Sequence, residues 1–159
     1  MSCSIARSLE QIGDWWTLLI IREALSGSRR FSDFQSHLGI APNVLTNRLQ
    51  GLVQHGILQV TDTSENGRAL AYRLTDKGRD LFPIIVALAQ WGDRHAAAPE
   101  GPPVQIVERG SKRPIAPLQV QSDDGRALQA RDVTLQVREG FSRDGEAAKP
   151  RLVKKRHPP

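Results

Sequence analysis

One cysteine, Cys3, stands in the 159 residues of this chain. That excludes an intramolecular disulfide framework and any cysteine-built metal cluster within one chain. No apolar run approaches the ~18–20 residues that a membrane-spanning helix needs. The first residues lack the basic-then-apolar pattern of a secretory leader, so the expected location is cytoplasmic, with no membrane partner. The four histidines, His37, His55, His95 and His157, show no metal-ligand spacing. There is no glycine-rich phosphate loop and no nucleophile elbow, and Asp123-Asp124 with Gly125 reads as a turn rather than an acid/base pair. These gaps argue against an enzyme, and neither a cofactor nor a metal is expected.

What is present begins with charge. Lys and Arg number 22 against 17 Asp and Glu, a net +5, which suits a nucleic-acid partner without proving one. The excess is uneven: 10 basic against 9 acidic residues over 1–98, and 12 against 8 over 99–159. A DNA face on the first part must therefore come from local clustering.

The most informative stretch runs from Phe31 to Tyr72 and reads as helix, tight turn, helix and polar-tipped hairpin. Before it, Ile5, Leu9 and Ile12 have helical spacing; Gly13 ends that helix and Asp14 caps the next. Trp15 to Leu25 reads as a central core helix, with Trp16, Leu19, Ile20 and Leu25 on a shared buried side. Ser32, three residues before Gln35, has the capping-box spacing for a short helix to Leu38. Gly39-Ile40-Ala41 makes the turn, and Pro42 fits the first turn of the following helix. In that helix Leu45, Leu49, Leu52 and Val53 form one apolar stripe, and Gly56 ends it. Ile57–Thr63 and Leu70–Leu74 read as strands joined by a turn carrying Asn66-Gly67. Thr75 caps a last helix, in which Pro83 marks a kink or a late start. Apolar residues surround much of that helix, as expected of one that packs against a second subunit.

The organisation expected is a winged helix-turn-helix DNA-binding and dimerisation domain over 1–98, a linker over 99–103, a small β-rich extension over 104–139 and a basic, disordered tail over 140–159. The fold class is mainly α, with a small β-hairpin wing. With the leucine stripe buried, Asn43, Thr46, Asn47 and Gln50 occupy the opposite face. Asn and Gln pair bidentately with adenine, and Thr meets a thymine methyl or accepts from a base. Arg48 flanks this face, within reach of guanine or phosphate. Arg29, Arg30 and Ser32 precede or open the first motif helix, where basic side chains and backbone N–H groups suit phosphate. Arg68 at the wing tip suits the minor groove or the backbone. A polar solvated helix face is the plain alternative for each residue taken singly.

Several motifs together resemble the HxlR-type transcriptional regulators: Cys3, Trp16-Thr17-Leu18-Leu19, Arg30-Phe31, Pro42-Asn43-Val44-Leu45, Arg48-Leu49, Gly56, Tyr72, Leu74-Thr75, Lys77-Gly78 and Trp91-Gly92. The resemblance covers about residues 3–95. It implies a dimeric winged-helix repressor or activator on a pseudo-palindromic operator, with the first and last helices forming much of the dimer interface. It places Cys3 where several members sense electrophiles or oxidants, and helix N-termini favour reactive thiols. Residues 104–137 resemble a zinc-ribbon-like extension of longer members, with Ser111, Gln121 and Asp124 standing at cysteine positions, so no zinc is expected. Two function classes remain: a sequence-specific regulator, open to a small-molecule effector or a redox signal, and a winged-helix protein-interaction module without DNA readout.

Overall fold

The computed structural model describes residues 3–62 and 70–140. The first helix, α1 (Ser4–Ile12), starts at Cys3, whose Sγ accepts from the Ala6 N–H at 3.3 Å. Asp14 opens α2 (Trp15–Ser26) by accepting from the Thr17 N–H at 3.2 Å, as its position before the apolar run requires. The buried edge of α2 is Thr17, Ile20, Ile21 and Ala24. Of the four residues expected there, Ile20 alone is fully buried; Trp16 and Leu25 pack half-buried at the flanks. The edge is rotated because two helices, α3 and α4, converge on it.

The short α3 (Phe31–Leu38) corrects the expected cap. Arg30 precedes the helix, and Asp33, not Ser32, does the capping: its Oδ2 accepts the N–H groups of Arg29 at 3.2 Å and Arg30 at 2.9 Å. An ionised carboxylate is the stronger acceptor for such orphan donors. Gly39 then takes a left-handed conformation, φ +60°, that side-chain-bearing residues avoid, and so makes the turn. Next, α4 (Pro42–Gln54) begins with Pro42 in its first turn and buries Leu45, Leu49 and Leu52.

Two strands follow. β1 (Leu58–Asp62) pairs antiparallel with β2 (Leu70–Leu74), in register from Leu58↔Leu74 to Asp62↔Leu70. The expected Asn66-Gly67 turn and Arg68 lie outside the described residues. The Tyr72 N–H donates to the Arg29 carbonyl at 2.7 Å, tying the α2–α3 link to β2. Tyr72 also meets Phe34 edge-on, with ring centroids 6.3 Å apart. Around Phe34 the core joins Ile12, Ile20, Ile21, Leu45, Leu49 and Leu52 to Ile57, Leu58 and Leu74 of the hairpin.

The expected last helix is two. Thr75 caps a single turn, α5 (Asp76–Arg79), and α6 (Phe82–His95) starts afresh with Pro83 in its first turn. The break is therefore a late start, which spares the ring a clash with a preceding carbonyl. Lys77 of α5 closes the end of α4 by donating to the His55 carbonyl at 2.7 Å, and to Gln11 of α1 at 2.8 Å. Val86 is the buried residue of α6.

Beyond α6 the chain forms far less sheet than its alternation suggests. β3 (Val120–Gln121) and β4 (Ala127–Leu128) pair over two residues each, and Val107 and Pro114 make an isolated bridge. Val133, Leu135 and Val137 belong to no strand and are exposed among the described residues. Two turns are closed by side chains: Ser111 bonds Glu108, and Ser122 bonds Asp124. Gln90 of α6 holds the extension by donating to the Ala116 carbonyl at 3.0 Å and accepting from the Leu118 N–H at 2.7 Å.

Gly78 sets the tightest packing constraint. A Cβ there would stand 2.2 Å from the Ile57 carbonyl oxygen and 2.9 Å from Leu74 Cδ2. Gly78→Ala is expected to cost roughly 1–3 kcal/mol as overpacking, read as a lower urea midpoint at unchanged slope. A midpoint equal to wild type would show that α5 is free to shift.

Candidate nucleic-acid interface

The outer face of α4 is polar and uncharged. Asn43, Thr46, Asn47 and Gln50 are all exposed, and the stripe behind them is fully buried. The Thr46 hydroxyl donates to the Pro42 carbonyl at 2.8 Å, which leaves its methyl and its lone pairs facing outward. Pro42 is exposed at the start of the helix. Amide groups at this spacing can each offer one donor and one acceptor to base edges.

Arg48 has a partner within the domain. Its Nη2 lies 2.9 Å from Asp14 Oδ2, so the residue ties α4 to the N-terminus of α2. Its Nε is buried without a partner. At 3.6 residues per turn, Arg48 sits closer on the helical wheel to Leu52 and Leu45 than to Asn47. The side chain therefore reaches toward the body of the domain, where it pairs with Asp14 and remains partly exposed.

Arg30 and Ser32 are exposed at the N-terminal end of α3, and Arg29 is half-buried beside them. Asp33 holds the backbone of Arg29 and Arg30. Its carboxyl lies below the ordinary value because the Arg30 and then the Arg29 N–H groups stabilise the charged form. Arg68 falls outside the described residues. Cys3 is exposed, with its thiol at the first turn of α1.

Sequence reasoning missed a brace behind α3. His37 Nδ1 stands 3.0 Å from Glu23 Oε2, Ser28 Oγ bonds the same carboxylate at 3.3 Å, and Arg22 pairs with Glu23 at 2.8 Å. His37 lies 14 positions from Glu23, and no local pattern signals such a contact. Burial alone would raise the Glu23 carboxyl, but the bonds from Arg22, His37 and Ser28 outweigh it, and the value falls below 4.5. Among the described residues, no three His, Cys, Asp or Glu side chains are grouped as a metal ion would need, and no helix is long and apolar enough to cross a membrane.

A helix-turn-helix pair followed by an antiparallel hairpin, with an amide-rich outer face on the second helix, defines the winged helix-turn-helix class. The HxlR-like helix-turn-helix family model matches residues 11–100, and the chain belongs to that family of DNA-binding transcriptional regulators. It is 41% identical over 138 residues to an uncharacterised HTH-type transcriptional regulator of Mycobacterium tuberculosis, a match covering 87% of each chain. The crystal structure of the proposed transcription factor PA1607 superposes with a TM-score of 0.80 at 47% identity, covering 85% of this chain and 94% of that one. The redox regulator HypR in its oxidised form matches with a TM-score of 0.56 at 27% identity, covering 60% of this chain and all of that one.

The lowered carboxyl of Glu23 stabilises the fold above the ordinary value of 4.5, and that contribution is lost as pH falls through the folded value. Glu23→Gln is therefore expected to lower Tm at neutral pH and to match wild type in acid. A Tm deficit that stays constant from neutral pH into strong acid would rule out the charge as its source.

Proposed function

We propose that this regulator binds a pseudo-palindromic operator as a homodimer, with α4 of each chain in a major groove. The observation that carries the reading is the outer face of α4: Asn43, Thr46, Asn47 and Gln50 exposed together over a stripe with no freedom to roll. Amides and a threonine methyl complement adenine and thymine edges, and the absence of an acidic or apolar face there speaks against a protein-binding module. Arg30 and Ser32 are assigned to phosphate, where they set orientation rather than sequence; Arg29 is half-buried beside them. Arg68 remains a backbone or minor-groove contact on its sequence position alone.

The dimer rests on apolar surface without an internal partner. On α6, Ile84, Leu88 and Trp91 follow an i, i+4, i+7 stripe and are exposed, with Trp91 at 57%. On α1, Ile5 and Leu9 are exposed at i, i+4, with Ile5 at 73%. A pairing of these faces would bury the exposed leucines and Trp91. Two-fold symmetry would then set the recognition helices about 34 Å apart, one turn of duplex. In this reading residues 1–98 bind DNA and dimerise, and 104–139 form an appendage. Cys3 is a candidate for oxidant response, by likeness to the redox regulator HypR; any disulfide it forms must join two molecules, since it is the sole cysteine.

Three outcomes are expected. Asn47→Ala weakens operator binding by about 1–3 kcal/mol while sparing random duplex, whereas Arg30→Ala weakens both and lowers the salt slope by about one. Equal losses on both duplexes for Asn47→Ala would remove its base-reading role. Leu88→Glu is expected to shift the protein from dimer to monomer in sedimentation; a variant that remains dimeric would place the interface elsewhere.

A further inference from the structure

Three arginines from separate elements line one cavity. Arg29 from the α2–α3 link, Arg73 from β2 and Arg79 from α5 line a space of about 410 Å³, together with Gln59 of β1. Ala24, Leu25 and Leu74 stand behind it, Leu25 half-buried and the other two in the core. No lining residue belongs to α3 or α4. Gln59 and Arg73 are cross-strand partners, so both project from the same face of the hairpin.

The charge in this cavity is largely uncompensated. Arg79 is partly neutralised: it pairs with Asp76 and donates to the Leu74 carbonyl at 2.7 Å. Among the described residues, no carboxylate is paired with the side chain of Arg29 or Arg73, and no acidic residue lines the cavity. Guanidinium groups converging on a concave site favour a planar or tetrahedral oxyanion, which they bind through paired N–H donors. The Gln59 amide adds a neutral donor. The volume lies at the small end of ligand sites, which run to about 300–1,000 Å³.

We propose that this cavity binds a small organic anion, an apolar body of about one ring carrying a single carboxylate or phosphate group. The arginines take the charged group, and Leu25 takes the ring. Such a ligand would bridge β2, the α2–α3 link and α5. These are already joined at one point by the Tyr72–Arg29 backbone bond of 2.7 Å. Occupancy would fix the wing strand against the segment that carries Arg30. This last step rests on the DNA-binding reading above; binding itself does not.

The test is calorimetric titration of the full chain with phenyl phosphate and with benzoate, using benzamide as the uncharged control. Both anions are expected to bind, with benzamide at least about tenfold weaker. Arg73→Gln and Gln59→Glu alter exposed strand positions, and each is expected to weaken the anions by about tenfold or more at unchanged Tm. Binding that neither variant weakens, equal binding of benzamide, or no binding of either anion would overturn the proposal. A duplex-binding arm separates the other source of phosphate. An Arg73→Gln salt slope equal to wild type supports a small-ligand site. A slope reduced by about one, with no anion binding, would assign the arginines to the DNA backbone and overturn it. The titrations contain no DNA, so a failed operator reading leaves their result standing, and the reverse also holds.

Discussion

Burial of three leucines along one side of α4 governs the geometry of everything else. Leu45 and Leu49 have no exposed surface and Leu52 has 1%. They pack with Ile20, Ile21 and Phe34, so α2, α3 and α4 share one core. Each buried leucine contributes about 1.5–3 kcal/mol relative to exposure. A half-exposed ion pair such as Arg48–Asp14 contributes about 0–1 kcal/mol. The leucines therefore set the roll of the helix, and the ion pair trims it. Once that roll is fixed, the helical period leaves Asn43, Thr46, Asn47 and Gln50 on the outer side with no further instruction.

A second constraint is the use of side chains to join elements that share little area. Lys77 gathers the ends of α1 and α4. Gln90 clasps the extension with both ends of its amide. The extension has almost no interior of its own, so these bonds and the two serine-closed turns do what a core does elsewhere. The same shortage explains why Val133, Leu135 and Val137 alternate like a strand without pairing as one.

Much of the fold was legible because apolar periodicity is a local signal that the core obeys. The stripe of α4, the Asp14 cap and the two long strands all follow from spacing and cap chemistry. Three features were not. Ser32 has the spacing of a capping residue, but the helix already starts at Phe31, which puts Asp33 where its carboxylate reaches back to the Arg29 and Arg30 N–H groups. Arg48 reads as a surface cation until Asp14, 34 positions earlier in the chain, is folded against it. The rotation of the buried edge of α2 depends on which two helices land upon it, and periodicity within α2 carries no record of that. For the site itself, the outer face of α4 was readable, whereas the convergence of Arg29, Arg73 and Arg79 needed the register of the hairpin.

The separation of labour within α4 bears on how such a protein changes over generations. The inward residues carry the fold, and the outward ones make no contact that the fold requires, since even the Thr46 hydroxyl bonds only its own helix. Exchanges at exposed positions of this kind shift stability by about 0.5 kcal/mol or less. If these residues read bases as proposed, a duplicated copy could drift at Asn43, Asn47 and Gln50 toward a new recognition sequence without passing through an unfolded intermediate. Freedom to vary and the duty to hold the architecture are housed on opposite sides of one thirteen-residue helix.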